Sequence, residues 1–512
     1  MIGLPQESVP EQDALVSAHV QQNLATIQEM TGHSSDIVIR TFLAFDGTPM
    51  ALAYISGLTD NIIVNQNVIG PLMTPRSPER DDAKPAESFV REIANRLLTV
   101  DAVSPVRSMK ELFSSLFEGN AVVFAEGAEE ALAVNTSKWE HRSVEEPSSQ
   151  TVIRGPKEGF NENIGTNVAL IRRRIKSPNL WKIDRKIGRQ TQTDVSVLYM
   201  KGIADEGVVR EVLRRLDAIR TDSILESEYL EEFIQDHTFT PFPTILNSER
   251  PDTTAGALLE GQVVILTDGT PFALILPVTF FKFLIASEDY YQRFDIASFL
   301  RVLRFGAFTA SMLLPSMYIA ITTFHQEMLP TTMLIGLAAQ REGVPFPAFI
   351  EAFLMEITFE VLREAGTRMP RAIGPAISIV GALVLGQAAV EAGLVSAAMV
   401  IVVSFTAISN FVAPATNIAI ASRLLRFVLM IFAATLGFFG IMTFLFALLI
   451  HMCGLRSFGV PYLTPFAPFV LRNWKDMFVR APWTLLRTRP LPFGANNPIR
   501  QRRRKKPPGA DE

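Results

Sequence analysis

Charged residues recur every few positions through the first 300 residues of this chain and then withdraw. Beyond that point four stretches carry no Asp, Glu, Lys or Arg: Gly306 to Phe324, Ala372 to Val390, Ala392 to Ser422 and Phe427 to Ile450, of 19, 19, 31 and 24 residues. A helix needs about 20 apolar residues to cross a bilayer. Core helices of soluble proteins rarely keep such runs four times over, so the pattern predicts a membrane domain. Pro315 is expected to kink the first span, with neighbouring helices covering the freed carbonyl. In the third run Val395 to Ala413 reads as the span, because Pro414 and the polar Thr416-Asn417 follow it. Flanking basic residues set orientation. The segment after Ile450 holds 12 Lys or Arg against Asp476, Asp511 and Glu512, which predicts a cytoplasmic C-terminus. The first twenty residues lack the basic and apolar regions of a signal peptide, so the N-terminal half is expected in the cytoplasm as well. Four crossings satisfy both ends.

The charged half reads as α/β. Asp36 to Phe45 and Met50 to Gly57 alternate like strands around Asp46-Gly47. Helical periodicity appears in Glu87 to Leu98 and Met109 to Phe117, Asn120 to Ala125 is strand-like, and Thr74 to Pro85 is a charged surface loop. After the polar linker Ser143 to Gln150 come a strand, Ser196 to Ile203, and a helix, Glu206 to Ile219. Gln262 to Pro277 is a hairpin signature, two apolar runs joined by Thr-Asp-Gly-Thr. The expected organisation is an N-terminal tail (1–33), two cytoplasmic α/β subdomains (34–150 and 151–300), an all-α transmembrane domain (301–455) of about four helices plus one amphipathic or re-entrant helix, and a cytoplasmic basic tail (456–512).

Composition removes several functions. With 48 basic and 52 acidic residues in 512, the formal charge of −4 gives no support to nucleic-acid binding. Cys453 is the one cysteine, which excludes an intramolecular disulfide and a Cys-based metal site, and the six histidines show no pair at helical ligand spacing. Nucleotide-binding, zinc-protease and nucleophile-elbow motifs are missing and no pair of groups stands out as an acid and base, so no enzyme, cofactor or metal is expected.

Three groups of residues carry candidate chemistry. In the second uncharged run Val380, Val384, Gln387 and Glu391 follow 3–4 spacing and share one helical face, while Gly381, Ala382, Gly386, Ala388 and Ala389 crowd the others and permit close helix packing. This is either ordinary packing or a pore helix. In a ring of subunits the valines would form an apolar constriction, with Gln387 and Glu391 as polar rings at one mouth. In Phe346 to Arg368 the carboxylates Glu351, Glu356, Glu360 and Glu364 recur at spacings of five, four and four, which suits an amphipathic helix with a solvated face or, alternatively, a cation-attracting vestibule. Finally, Arg154 and Lys157, with the basic cluster from Arg172 to Arg189 that includes Arg173 and Arg174, are candidates for contact with another subunit or with anionic lipid headgroups, the other reading being a solvated face. Glu288 to Phe305 mixes Tyr, Phe and Arg as interfacial segments do, and would couple the soluble domains to the spans.

From about Ser34 to Pro468 the chain resembles the A subunit of the GerA-type spore germination receptors. The resemblance is carried by RGPKEGFNENIGTNVALIRRRIKSPNL (Arg154 to Leu180), FPTILNSERPD (Phe242 to Asp252), LLEGQVVILTDGTPFALILP, REGVPFPAFIEAFLMEITFEVLREAGTRMPRAIG, ISIVGALVLGQAAVEAG and HMCGLRSFGVPYLTP. GPKEGF in place of GPREGF, and the residue before ERPD, depart mildly from the pattern. The resemblance implies a multi-pass protein of the spore inner membrane that acts with a transporter-like B subunit and a lipoprotein C subunit. It also implies self-association into a ring, a pentamer, that conducts cations when nutrient binds. A secondary transporter is the alternative from the residues themselves, although four spans show no paired repeat. A non-conducting signalling subunit is another.

Overall fold

The computed structural model describes residues 14–74, 93–94, 97–137, 146–147, 150–368, 384–494 and 496–501. They fall into two compact units. One comprises the chain up to Gln235 with Asn247–Pro277 and the residues from Arg487 onward; the other comprises Asp236–Leu246 and Val278–Leu486.

The first unit is α/β, built on two five-stranded sheets. Strands β1 (Ile37–Leu43), β2 (Pro49–Ile55), β3 (Val103–Val106), β4 (Ala121–Ala125) and β5 (Ala131–Val134) pair antiparallel in the order β1-β2-β4-β5-β3. Successive side chains point to opposite faces of a strand, and here both faces are covered. Ala51, Ala53, Ile55, Val122 and Phe124 form one core with Leu24 and Ile27 of α1 (Val20–Met30) and Leu112 and Leu116 of α2 (Met109–Phe117). Met50, Leu52, Ala121, Val123 and Val134 form the other, against Val64, Val68 and Leu72. Burial on both sides explains why β4 and β5 read as apolar runs rather than alternating ones. The expected strand at 120–125 and helix at 109–117 are present. The helix over Glu87–Leu98, the loop Thr74–Pro85 and the linker Ser143–Gln150 lie largely outside the described residues.

The second sheet contains β6 (Leu180–Ile187), β7 (Thr193–Met200), β8 (Leu246–Ser248), β9 (Val263–Thr267) and β10 (Ala273–Leu276), in the order β6-β7-β9-β10-β8. Both sheets therefore place their strands first, second, fourth, fifth, third, so the α/β unit is a topological repeat. The Asp-Gly turns of both expected hairpins are realised with Gly47 and Gly269 at φ +81° and +89°, a conformation open to glycine without steric cost. Helices α3 (Ile164–Arg174), α4 (Glu206–Ala218), α5 (Ser227–Ile234) and α6 (Pro251–Glu260) complete this half. Residues 487–494 and 496–501 return to this half: Arg489 Nε donates to the Leu259 carbonyl at 2.8 Å, Asn496 Nδ2 to the Ala204 carbonyl at 2.9 Å, and Arg500 pairs with Glu260 at 3.1 Å. The last eleven residues, with most of the basic tail, lie outside the described residues.

The second unit is helical: α7 (Phe294–Thr323), α8 (Thr331–Arg341), α9 (Ala348–Arg368), α10 (Ala397–Asn410) and α11 (Thr416–Gly454). By length and composition α7 and α11 can cross a membrane. Helix α10, with 14 residues, rises only ~21 Å against a hydrocarbon core of ~30 Å. Most of the run Ala372 to Val390 lies outside the described residues. Pro315 sits buried inside a continuous α7.

Helix α11 corrects the reading of Phe427–Ile450 as one straight span. Gly437 breaks it at φ +59°, ψ −138°. A straight helix would hold Phe432 and Phe444 ~18 Å apart, yet their ring centroids are 5.2 Å apart, and a Cβ at Gly440 would collide with the Phe432 carbonyl. The chain folds back on itself at Gly437. A Cβ on Gly437 itself would stand 2.7 Å from His325 Cε1 at the end of α7, so the position admits glycine on two counts.

Two predictions follow from the first unit's interior. Arg172, on α3, is fully buried, and its guanidinium donates to both carboxylate oxygens of Asp36 at 2.7 and 3.0 Å and to Ser34 Oγ at 3.0 Å. It ties the second half of the repeat to the strand that opens the first. Arg172→Ala strands a buried carboxylate and is expected to cost about 3–5 kcal/mol, read as a lowered thermal midpoint of the detergent-solubilised chain. A midpoint equal to wild type would show that the pair holds nothing together.

Glu231, on α5, is buried with Oε2 unpartnered, and burial, helped by Glu228, Glu226 and Glu232, pushes its carboxyl up from the usual 4.5 to about 8. Below its unfolded value the group is protonated in both states. As pH rises towards the folded value the unfolded chain loses its proton first, so stability falls through that window. Glu231→Gln should therefore stabilise the chain at neutral and mildly alkaline pH by on the order of 1–3 kcal/mol, read as a raised melting temperature, and leave it unchanged at the acid end. A pH-independent difference between the two proteins would contradict this.

Candidate pore helix and buried charge network

Helix α9 carries the four spaced carboxylates, and the structure turns most of that face inward, which corrects its reading as solvated. Glu351 is fully buried and accepts from both the backbone N–H and Oγ of Ser396, the N-cap of α10. Glu356, also buried, stands 3.1 Å from Arg426 Nη2. Glu360 accepts from Arg423 at 2.5 Å and from Arg426 at 3.2 Å, and Arg363 lies 3.7 Å from it. Only Glu364 is largely exposed, paired to Arg368 one turn on. Asn410, at the end of α10, accepts from Arg363 Nη1 at 2.9 Å once its amide is turned to satisfy both ends. Three arginines, two of them on α11, thus meet two glutamates of α9.

Neither Arg423 nor Arg426 stood out in the sequence. Their signal was present: two arginines at i, i+3 interrupt the uncharged runs, while Glu356 and Glu360 of α9 stand four apart, so each pair lines one face. Ionisable groups within apolar helices are expensive unless paired. Arg426 is fully buried, and its Nε and Nη1 find no partner among the described residues.

The candidate pore face fares differently. Val380 lies outside the described residues. Residues 384–391 are helical, and Val384, Gln387 and Glu391 are all exposed in the single chain, with Gln387 Nε2 donating to Glu391 Oε1 at 2.8 Å. The opposite side is packed: Gly386 is buried against Val400 of α10, where a Cβ would sit 3.3 Å from its methyl. Gly386 therefore brings this helix close to its neighbour, while Val384, Gln387 and Glu391 are left exposed, as are Leu385 and Ala388.

In the α/β unit the basic candidates separate. Arg172 is consumed by Asp36 and cannot reach a lipid or another subunit; that part of the expected contact surface is corrected. Arg174 pairs with Glu158 at 2.6 Å, Arg173 lies 3.6 Å from the same carboxylate, Lys157 pairs with Glu146 at 2.9 Å, and Arg154 is exposed. The continuation to Arg189 is an edge strand, β6, whose Lys182, Arg185 and Lys186 pair with Asp184, Asp217 and Asp194. A cleft of about 360 Å³ opens between the turn after β2 and α3, lined by Thr59, Asn61, Asn163, Thr166, Arg173 and Lys176 among others.

Residues 25–491 match the family described as Bacillus/Clostridium GerA spore germination protein. The chain is 47% identical to spore germination protein KA of Bacillus subtilis (strain 168), over 97% of this chain and 91% of that one. It is 40% identical to spore germination protein B1 of the same organism, over 95% and 100%. Among solved structures it is similar to the N-terminal domain of the A subunit of the Bacillus megaterium spore germinant receptor GerK3, at 40% identity over 52% of this chain and 98% of that one, with a TM-score of 0.42.

The α9–α11 network makes its own prediction. Arg426→Leu leaves Glu356 buried beside an apolar side chain and is expected to cost about 3–5 kcal/mol, part of which Glu356→Leu in the same chain recovers. Thermal denaturation of the four detergent-solubilised proteins measures the coupling. Strictly additive losses would show that the two residues act separately.

Proposed function

Because the chain belongs to the GerA spore germination protein family, we propose that it is the A subunit of a nutrient germinant receptor of the spore inner membrane. In this reading it acts with a transporter-like B subunit and a lipoprotein C subunit, crosses the membrane several times with both termini cytoplasmic, and assembles into a ring, a pentamer, that conducts cations when nutrient binds. Contacts of Arg154, Lys157, Arg173 and Arg174 with neighbouring subunits or anionic headgroups belong to the same proposal.

One observation carries the channel part: a helix packed at Gly386 leaves Val384, Gln387 and Glu391 uncovered in a single chain. An apolar ring closes a narrow pore because water leaves it, and carboxylates at a mouth concentrate cations. The carboxylates of α9 make the rival vestibule, but three of the four are engaged with α10 and α11.

Val384→Ala widens and wets the constriction, so spores carrying it are expected to leak ions and germinate without nutrient. Glu391→Gln should reduce cation preference without opening the pore. The measurement is ion release from dormant spores. Wild-type retention in Val384→Ala, together with leakage when Glu364 is changed, would move the pore to α9; wild-type retention in all of them would favour a transporter or a non-conducting signalling subunit.

A further inference from the structure

The helical unit continues past its last long helix as a folded segment that the family reading leaves without a task. After the small hairpin β11 (Arg456–Ser457) and β12 (Val460–Pro461), residues 462–486 fold against the base of α7. An aromatic cluster holds them there: Phe478 lies 4.4 Å from Phe305 between ring centroids, Phe466 lies 5.1 Å from Phe281, and Trp474 lies 4.7 Å from Phe466 and 5.6 Å from Phe469. Polar bonds fix the same junction. Arg301, fully buried in α7, donates to Asp289 at 2.9 Å and Asp476 at 2.8 Å.

The outer side of this segment is apolar and uncovered. Phe469 is 66% exposed and Leu471 71%, with Val479 and Leu485 also open. On α7 the neighbouring turns show Phe299, Val302 and Leu303 exposed. Lys475 and Arg472 flank the apolar residues. Phe305, which Phe478 touches, immediately precedes the charge-free run that begins at Gly306. Through Phe478 the segment thus meets α7 at the level where the helix passes from charged to uncharged sequence.

We propose that residues 466–485, anchored by Phe469 and Leu471, form a membrane-interface surface that lies in the headgroup layer of an anionic bilayer beside the base of α7. The inference rests on the reading of α7 and α11 as membrane-spanning. Aromatic residues with flanking Lys and Arg are the composition that settles at this depth, apolar bodies in the acyl boundary and cations among phosphates. Large apolar side chains left exposed together on one folded segment mark an interaction surface. Its contact with α7 at the edge of the uncharged run selects lipid over a soluble partner. Seated there, the segment would hold the end of α7 at a fixed depth.

The single native cysteine makes the test direct. In a Cys453→Ser background the full chain is given one cysteine, at Leu471, Phe469 or, as a reference within α11, Phe446, which is 65% exposed. Each is labelled with an environment-sensitive fluorophore and reconstituted into phosphatidylglycerol–phosphatidylethanolamine vesicles, with variants retained only if they elute as wild type. Labels at 471 and 469 should lose emission to nitroxide lipids labelled near the headgroup, more than to those labelled near the chain end, and resist aqueous iodide; the 446 label should show the reverse depth preference. If 446 is quenched by lipid while 469 and 471 respond to iodide, or to neither quencher, the surface faces water or protein and the proposal falls. If no site is quenched by lipid, the spanning reading falls and takes the proposal with it.

Discussion

A guanidinium cannot be left alone in a protein interior. Among the described residues Arg172, Arg301 and Arg426 are the three largest completely buried side chains, and each is held by carboxylates from another part of the chain. Arg172 on α3 meets Asp36 at the entry to β1; Arg301 on α7 meets Asp289 and Asp476; Arg426 on α11 meets Glu356 and Glu360 on α9. Removing one partner exposes the other to the full penalty of an unpaired buried charge. Each pair therefore fixes a joint: between the two halves of the α/β repeat, between α7 and the segment after α11, and between α9 and α11.

That constraint decides which charges remain for function. The acidic periodicity of α9 invites a role in attracting cations, but a carboxylate committed to a buried arginine has little field left to offer solvent. The polar groups at 387 and 391 bond to each other along one helix face and to no other element among the described residues. Their availability, more than their identity, makes that face the candidate for lining a path between copies. The break at Gly437 adds a second consequence. A helix that folds back on itself packs its own aromatic side chains, Phe432 on Phe444, and sets Phe438 against His325, two residues past the end of α7.

Much of the local structure was legible from residue order. Asp-Gly turns, the amphipathic helices at 109–117 and 206–218, and the apolar hairpin at 262–277 follow from short-range rules that tertiary context did not override. The doubled sheet order was not legible, since strand order is set by which edges meet, and residues far apart decide that. Strand β6 was obscured by its own charges: as an edge strand it tolerates Lys182, Arg185 and Lys186, which read as a basic cluster rather than as alternation. Arg172 looked like surface because it sits in a run of three arginines; its burial depends on Asp36, 136 residues earlier. The inward turn of Glu351 and Glu356 was hidden for a similar reason, their partners being Ser396 and Arg426. Gly437 lay inside an uninterrupted apolar run, where one glycine gives little sign of a reversal.

The claim that this chain forms the conducting element is tested most directly by electrical recording from the purified chain in planar bilayers. The account predicts discrete unitary steps that favour cations over anions, with Val384→Ala raising the open fraction. Verified incorporation into the bilayer with no unitary steps, in wild type and Val384→Ala alike, would contradict it.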